Sequence, residues 1–144
     1  MSEVDASPVD SRESVVNHHL RRAVTRLNER YLAALDGKDM LGWLACFAND
    51  GAYFVQGADN AVAGLPLGGM FDDCYERLQD RVTFVKDIWP GAFEDYQTRH
   101  FVQPLSLEPC DTADDLYSSQ MNVQILSSDQ RGRTSIFVTG TYVD

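Results

Sequence analysis

Apolar residues recur at intervals of three and four through Val16, Leu20, Val24, Leu27, Tyr31 and Leu35, a single stripe of about six helical turns. The stripe predicts a long amphipathic helix, opened by a capping box at Asp10-Ser11-Arg12-Glu13 and ended by Gly37. Asp39 is placed to cap a short second helix in which Leu41, Leu44, Cys46 and Phe47 supply buried weight, and Asn49-Asp50-Gly51 is a turn that stops it. Residues 52–56, with the run Tyr53-Phe54-Val55, predict a short, at least partly buried strand. Gly57, Gly64, Pro66, Gly68 and Gly69 make 57–69 a loop. From Met70 the period turns helical again through Cys74, Leu78, Val82 and Val85, until Trp89-Pro90-Gly91 breaks it.

The last third has the period of strands. Residues 98–105, 116–127 and 133–143 are long β-type runs, and Tyr117, Ser119, Met121, Val123 and Ile125 share one face of the second. Residues 127–132 read as the hairpin turn between the latter two. Helices followed by an antiparallel sheet predict an α+β fold with the helices packed on one face of a curved sheet. The chain's 144 residues suffice for one core. Residues 1–10, which lack an apolar period, are expected to be a flexible N-terminus, and 11–144 a single domain. Because the last run reaches Asp144 without a polar tail, a further strand is expected to be missing.

Charge narrows the function. Twelve Lys and Arg against 22 Asp and Glu give a net charge of −10, which opposes phosphate-backbone binding, so nucleic acid is not an expected partner. Cys46, Cys74 and Cys110 are odd in number and widely spaced, implying neither a disulfide framework nor a zinc site. Neither a leader pattern nor a long apolar run is present, and the expectation is a cytoplasmic protein away from membranes.

Candidate chemistry is sparse. A cone of helices and sheet can hold a small ligand, and Tyr31, Trp43, Tyr53, Asp80 and His100 are the side chains that could serve it. Against this, Tyr31 and Trp43 sit at core spacing. Asp80 and Arg81 diverge by about 100° on a helix, so each needs another partner, with Arg99 a candidate for Asp80. Arg99 and His100 point to opposite faces of a strand, one inward and one outward. His18-His19 has no companion at metal spacing, and metal-binding, P-loop, dinucleotide and Ser-hydrolase signatures are all lacking. Three readings stay open on these residues: a polar frame in a structural domain, a stand-alone dehydratase or isomerase with Asp80 or His100 as general base, or a small-ligand binding module, which predicts an open pocket without any titratable group inside. The segment Gly64-Leu65-Pro66-Leu67-Gly68 is a stiffened apolar loop suited to protein contact.

Gly64-Leu65-Pro66-Leu67-Gly68-x-Met70, Asp73, Leu78, Asp80-Arg81-Val82, Tyr96 and Arg99-His100 together resemble the small (β) subunits of aromatic-ring-hydroxylating dioxygenases, the Rieske non-haem iron oxygenases. The resemblance is greatest to the salicylate, anthranilate and terephthalate oxygenase type, and runs from about Leu27 to Asp144. It implies the cone-shaped fold of nuclear transport factor 2 and scytalone dehydratase, with helices wrapped on a strongly curved antiparallel sheet. It further implies a non-catalytic, iron-free subunit in a cytoplasmic α3β3 hexamer, where a β3 base supports α chains that hold a Rieske 2Fe–2S cluster and a mononuclear Fe(II). Such a complex hydroxylates an aromatic ring with O2, using electrons from NAD(P)H passed through a reductase, with or without a ferredoxin. Under the resemblance Gly64, Leu65, Pro66, Leu67, Gly68, Asp80, Arg81, Arg99 and His100 are structural or interfacial positions, and none is catalytic. Trp89-Pro90-Gly91-Ala92-Phe93 departs from the family pattern, and relatives continue past the position of Asp144.

Overall fold

A computed structural model describes residues 11–65, 67–111 and 116–144, with side chains from residue 18 onward. The expected cap at Asp10 and Pro66 lie outside the described residues. Helix α1 (Ser11–Asp36) is the long helix of the apolar stripe. It closes in a Schellman arrangement: the Lys38 amide donates to Leu35 O at 3.1 Å and the Asp39 amide to Ala34 O at 2.8 Å. The left-handed residue of that cap is Lys38, at φ 55°, and not the neighbouring Gly37. Asp39 then caps α2 (Met40–Leu44), its Oδ1 accepting from the Gly42 amide at 2.9 Å.

The core is small and lies where α1, α2 and α4 (Tyr75–Thr83) meet, around Ala34, Met40, Trp43, Leu44, Leu78 and Val82. Trp43 and Leu78 are the two large side chains sealed most completely, at 1% and 0% exposure. Two residues of the expected apolar faces lie elsewhere: Leu27 and Leu41 are exposed, and Met40, one position earlier on α2, turns inward instead.

Between α2 and α4 the chain departs from its periodicity. β1 (Tyr53–Gln56) pairs antiparallel with β2 (Gly68–Asp72), Val55 opposite Met70, in a two-stranded sheet of its own. Met70 is therefore a strand residue, because the ladder to β1 outweighs the local helical spacing, and α4 begins only at Tyr75. Phe54 and Val55 are exposed, so β1 is less buried than its composition suggests. The segment read as a loop contains α3 (Ala58–Val62), too short to show a period. Its end is a second Schellman closure, with Gly64 at φ 65° and the Leu65 amide on Asn60 O at 2.9 Å.

Trp89-Pro90-Gly91 does not end the helical stretch. A π-helical turn (Phe84–Ile88) leads into α5 (Trp89–Ala92), with Pro90 in the first turn of α5. β3 (Gln97–Pro109), β4 (Tyr117–Ser128) and β5 (Thr134–Val143) then form an antiparallel sheet in that order, with His100 opposite Ile125 and Ile125 opposite Val138. Ser119, Met121 and Val123 share the buried face of β4, as their alternation requires. The class is α+β, with five described strands split between two sheets.

Candidate functional site

The helices and the three-stranded sheet enclose an open cavity of about 800 Å³. α2 and β1 bring Trp43 and Tyr53 to its wall, α4 and the π-turn bring Arg81, Phe84 and Val85, and the sheet brings Thr98, His100, Ile125, Phe137 and Tyr142. One part of the wall is continuous aromatic surface. The Trp89 ring lies 4.4 Å from Phe93, 6.0 Å from Tyr96 and 6.1 Å from Phe84, and Tyr96 lies 5.9 Å from Phe137. Lys38, carried out of α1 by its left-handed turn, reaches across to pair with Asp95 and sits 5.6 Å over the Tyr96 ring.

The polar part of the wall is built around Asp36, the last residue of α1. Its Oδ1 accepts from the Thr98 hydroxyl at 2.9 Å and lies 2.6 Å from His100 Nδ1, while its Oδ2 accepts from the His100 amide at 3.0 Å. Partial burial works to raise the Asp36 carboxyl. The bonds from the His100 amide, the imidazole and Thr98 outweigh it and hold the group below the usual carboxylate range. An ionised carboxylate can only accept, so Nδ1 of His100 is the donor to Asp36. The His100 side chain is 6% exposed, and no described residue hydrogen-bonds its Nε2.

A second carboxylate is fixed by Arg81, whose Nε and Nη2 both donate to Asp72, the latter at 3.1 Å. Asp72 is only 6% exposed and ties β2 to α4 through this fork. Three phenols are pushed above their ordinary range by burial: Tyr31, Tyr53 and Tyr142. The charges of the neighbouring Tyr53 and Tyr142 add to the effect on Tyr31, and the Trp43 indole beside it acts the other way.

The residues singled out from sequence separate here. His100 faces inward and Arg99 outward, as alternation requires, and Tyr31 and Trp43 are packing residues. Asp80 is exposed, outside the cavity wall and without an ion-pair partner among the described residues; it is neither a buried strut nor placed to act as a base there. Arg99 donates to the Thr98 carbonyl at 2.6 Å rather than to Asp80. Asp36 and Asp72 escaped sequence reasoning. Asp36 had one readable signal, a carboxylate at a helix C-terminus, where the macrodipole disfavours it. Leu65 and Leu67 are exposed at the loop, Leu67 at 57%, and do not fold back over the core.

The family model for the ring hydroxylating beta subunit matches residues 30–144. The chain belongs to that family. Among curated relatives, it is 26% identical over 121 residues to subunit beta 1 of the terminal oxygenase component of terephthalate 1,2-dioxygenase from Comamonas sp., spanning 84% of this chain and 76% of that one. It is 25% identical over 118 residues to the small subunit of anthranilate 1,2-dioxygenase from Burkholderia cepacia, spanning 82% and 71%. Among solved structures, the beta subunit assigned to an aromatic-ring-hydroxylating dioxygenase of Novosphingobium aromaticivorans superposes with a TM-score of 0.77 at 25% identity, over 90% of this chain and 79% of that one. The α+β architecture expected from the family resemblance is the one found. Among the described residues no group of three or more His, Cys, Asp or Glu is arranged to hold a metal ion, and no helix is long and apolar enough to cross a membrane.

Proposed function

We propose that this beta subunit is a supporting, non-catalytic partner of an iron-containing α chain in an aromatic-ring-hydroxylating oxygenase. The observation that carries the reading is the family match, which spans the core, the cavity and all three strands of the larger sheet. The α chain supplies the Rieske cluster and the mononuclear iron, the two chains assemble as α3β3 on a β3 base, and a reductase, with or without a ferredoxin, brings electrons from NAD(P)H. In this chain 11–144 act as one domain. The exposed loop of Gly64, Leu65, Leu67 and Gly68, with Pro66 at its centre in sequence, is the contact element, while Arg81 and His100 serve shape and the exposed Asp80 and Arg99 serve the interface.

The test is co-expression with the large chain that carries the Rieske ligand pattern, C-x-H followed by C-x-x-H. Native mass spectrometry is expected to show the two chains in equal numbers, three of each. The purified small chain alone is expected to carry no iron and to turn over no aromatic substrate. An α chain that is stable and fully active without ever binding this one overturns the reading.

A further inference from the structure

A chain that only supports a partner has no need for an open cavity with a prepared polar group on its wall. The cavity of about 800 Å³ falls within the 300–1,000 Å³ typical of small-ligand sites. Its wall combines the ring surface of Phe84, Trp89, Phe93, Tyr96 and Phe137 with one buried imidazole. That imidazole is oriented by one carboxylate: Asp36 binds its Nδ1 and its backbone amide, and Thr98 in turn holds Asp36. In its Nδ1–H tautomer, the one that donates to Asp36, the ring offers an acceptor at Nε2 that no described residue satisfies.

We propose that the cavity binds a one- or two-ring aromatic bearing a hydroxyl group, whose O–H donates to His100 Nε2 while its ring lies against the Trp89 wall. The charges around the cavity favour a neutral ligand over a carboxylate. Arg81 is committed to Asp72 and Lys38 to Asp95, and Lys86 shares the cavity lining with an opposite charge, Glu94. The overall charge of −10 further disfavours an anion. This inference concerns the chain's own interior and stands or falls independently of its association with an α subunit.

Both tryptophans of the chain border the cavity, Trp89 on its aromatic wall and Trp43 almost wholly buried behind the surface, so their two indole N–H resonances respond to occupancy. The full chain, labelled with nitrogen-15, is titrated with 1-naphthol, naphthalene and 1-naphthoate, and affinities are measured by calorimetry. 1-Naphthol is expected to move both indole resonances and to bind at least about tenfold more tightly than either of the others, the discrimination of one well-made hydrogen bond. In His100→Phe, with folding checked by its melting curve, 1-naphthol and naphthalene are expected to bind alike. The proposal is overturned if neither resonance moves up to the solubility limit of 1-naphthol, or if naphthalene or 1-naphthoate binds the wild-type chain as tightly. That wild-type comparison decides the matter even if the variant fails to fold.

Discussion

His100 on β3 and Asp36 at the end of α1 are joined twice, through the imidazole at 2.6 Å and the backbone amide at 3.0 Å, across 64 residues of chain. The pair pins the long helix to the first strand of the sheet. Asp36→Asn is expected to lower stability by about 1–3 kcal/mol, since an amide cannot accept all the bonds the carboxylate takes. The loss has a pH signature. The folded carboxyl titrates below its unfolded value of about 3.9, so its stabilisation is fully present above that pH and disappears as pH falls through the lower folded value. Urea midpoints measured from pH 5 downward should therefore fall less steeply in the variant; equal slopes would contradict the assignment.

The Arg81–Asp72 fork carries a different risk, because Asp72 is almost wholly buried. Arg81→Ala leaves an unpaired carboxylate and is expected to cost about 3 kcal/mol, the low end for a broken buried pair because the guanidinium keeps some water contact. Arg81→Lys should recover little, since an ammonium cannot span both oxygens. Removing both charges together, as Arg81→Met with Asp72→Leu, should restore most of the stability in urea unfolding.

Leu78 and Asp80 sit two residues apart on α4 and predict opposite outcomes. Leu78→Ala opens a cavity in the sealed core and is expected to cost about 2–5 kcal/mol. Asp80→Ala removes an exposed side chain and should stay within about 0.5 kcal/mol of wild type. A large effect at Asp80 would revive the buried-strut role that its sequence context suggested.

The buried phenols fix the alkaline limit. Tyr31, Tyr53 and Tyr142 stay protonated in the fold, while an unfolded phenol ionises near pH 10, so folding is favoured below that pH and loses stability as pH rises past it. Of the six tyrosines, these three are expected to develop tyrosinate absorbance only together with loss of the far-ultraviolet circular dichroism signal.

At the loop, Leu67→Asp should leave the melting temperature of the isolated chain unchanged, since the side chain is already exposed. Its affinity for the α chain is expected to drop by at least about tenfold, measured by co-purification or interferometry. Undiminished assembly would remove the loop from the interface.

What the sequence made legible follows the length of each signal. α1 and the three strands of the larger sheet announce themselves because their elements are ten residues or longer, although the period of the first strand marks only 98–105. α3 and β2, at five residues each, carry too few repeats, and Met70 followed its ladder partner Val55 rather than its helical spacing. The same holds for the site. His100 stood out by residue type and strand alternation, but its partner lay 64 positions away, a distance no local pattern spans. Arg81 was seen to need a partner beyond its neighbour, and the identity of Asp72 waited on the β1–β2 hairpin that brings it to α4.

The π-helical turn at Phe84–Ile88 makes the cavity wall a matter of residue count. A turn of this kind holds one residue more than an α-turn, and each residue of an α-helix advances the chain by about 100°. Deleting a single residue there would rewind the helix and swing Trp89 and Phe93 off the wall, although every side chain of the wall would still be present. Conservative substitutions along this stretch should therefore be tolerated more readily than any change in its length.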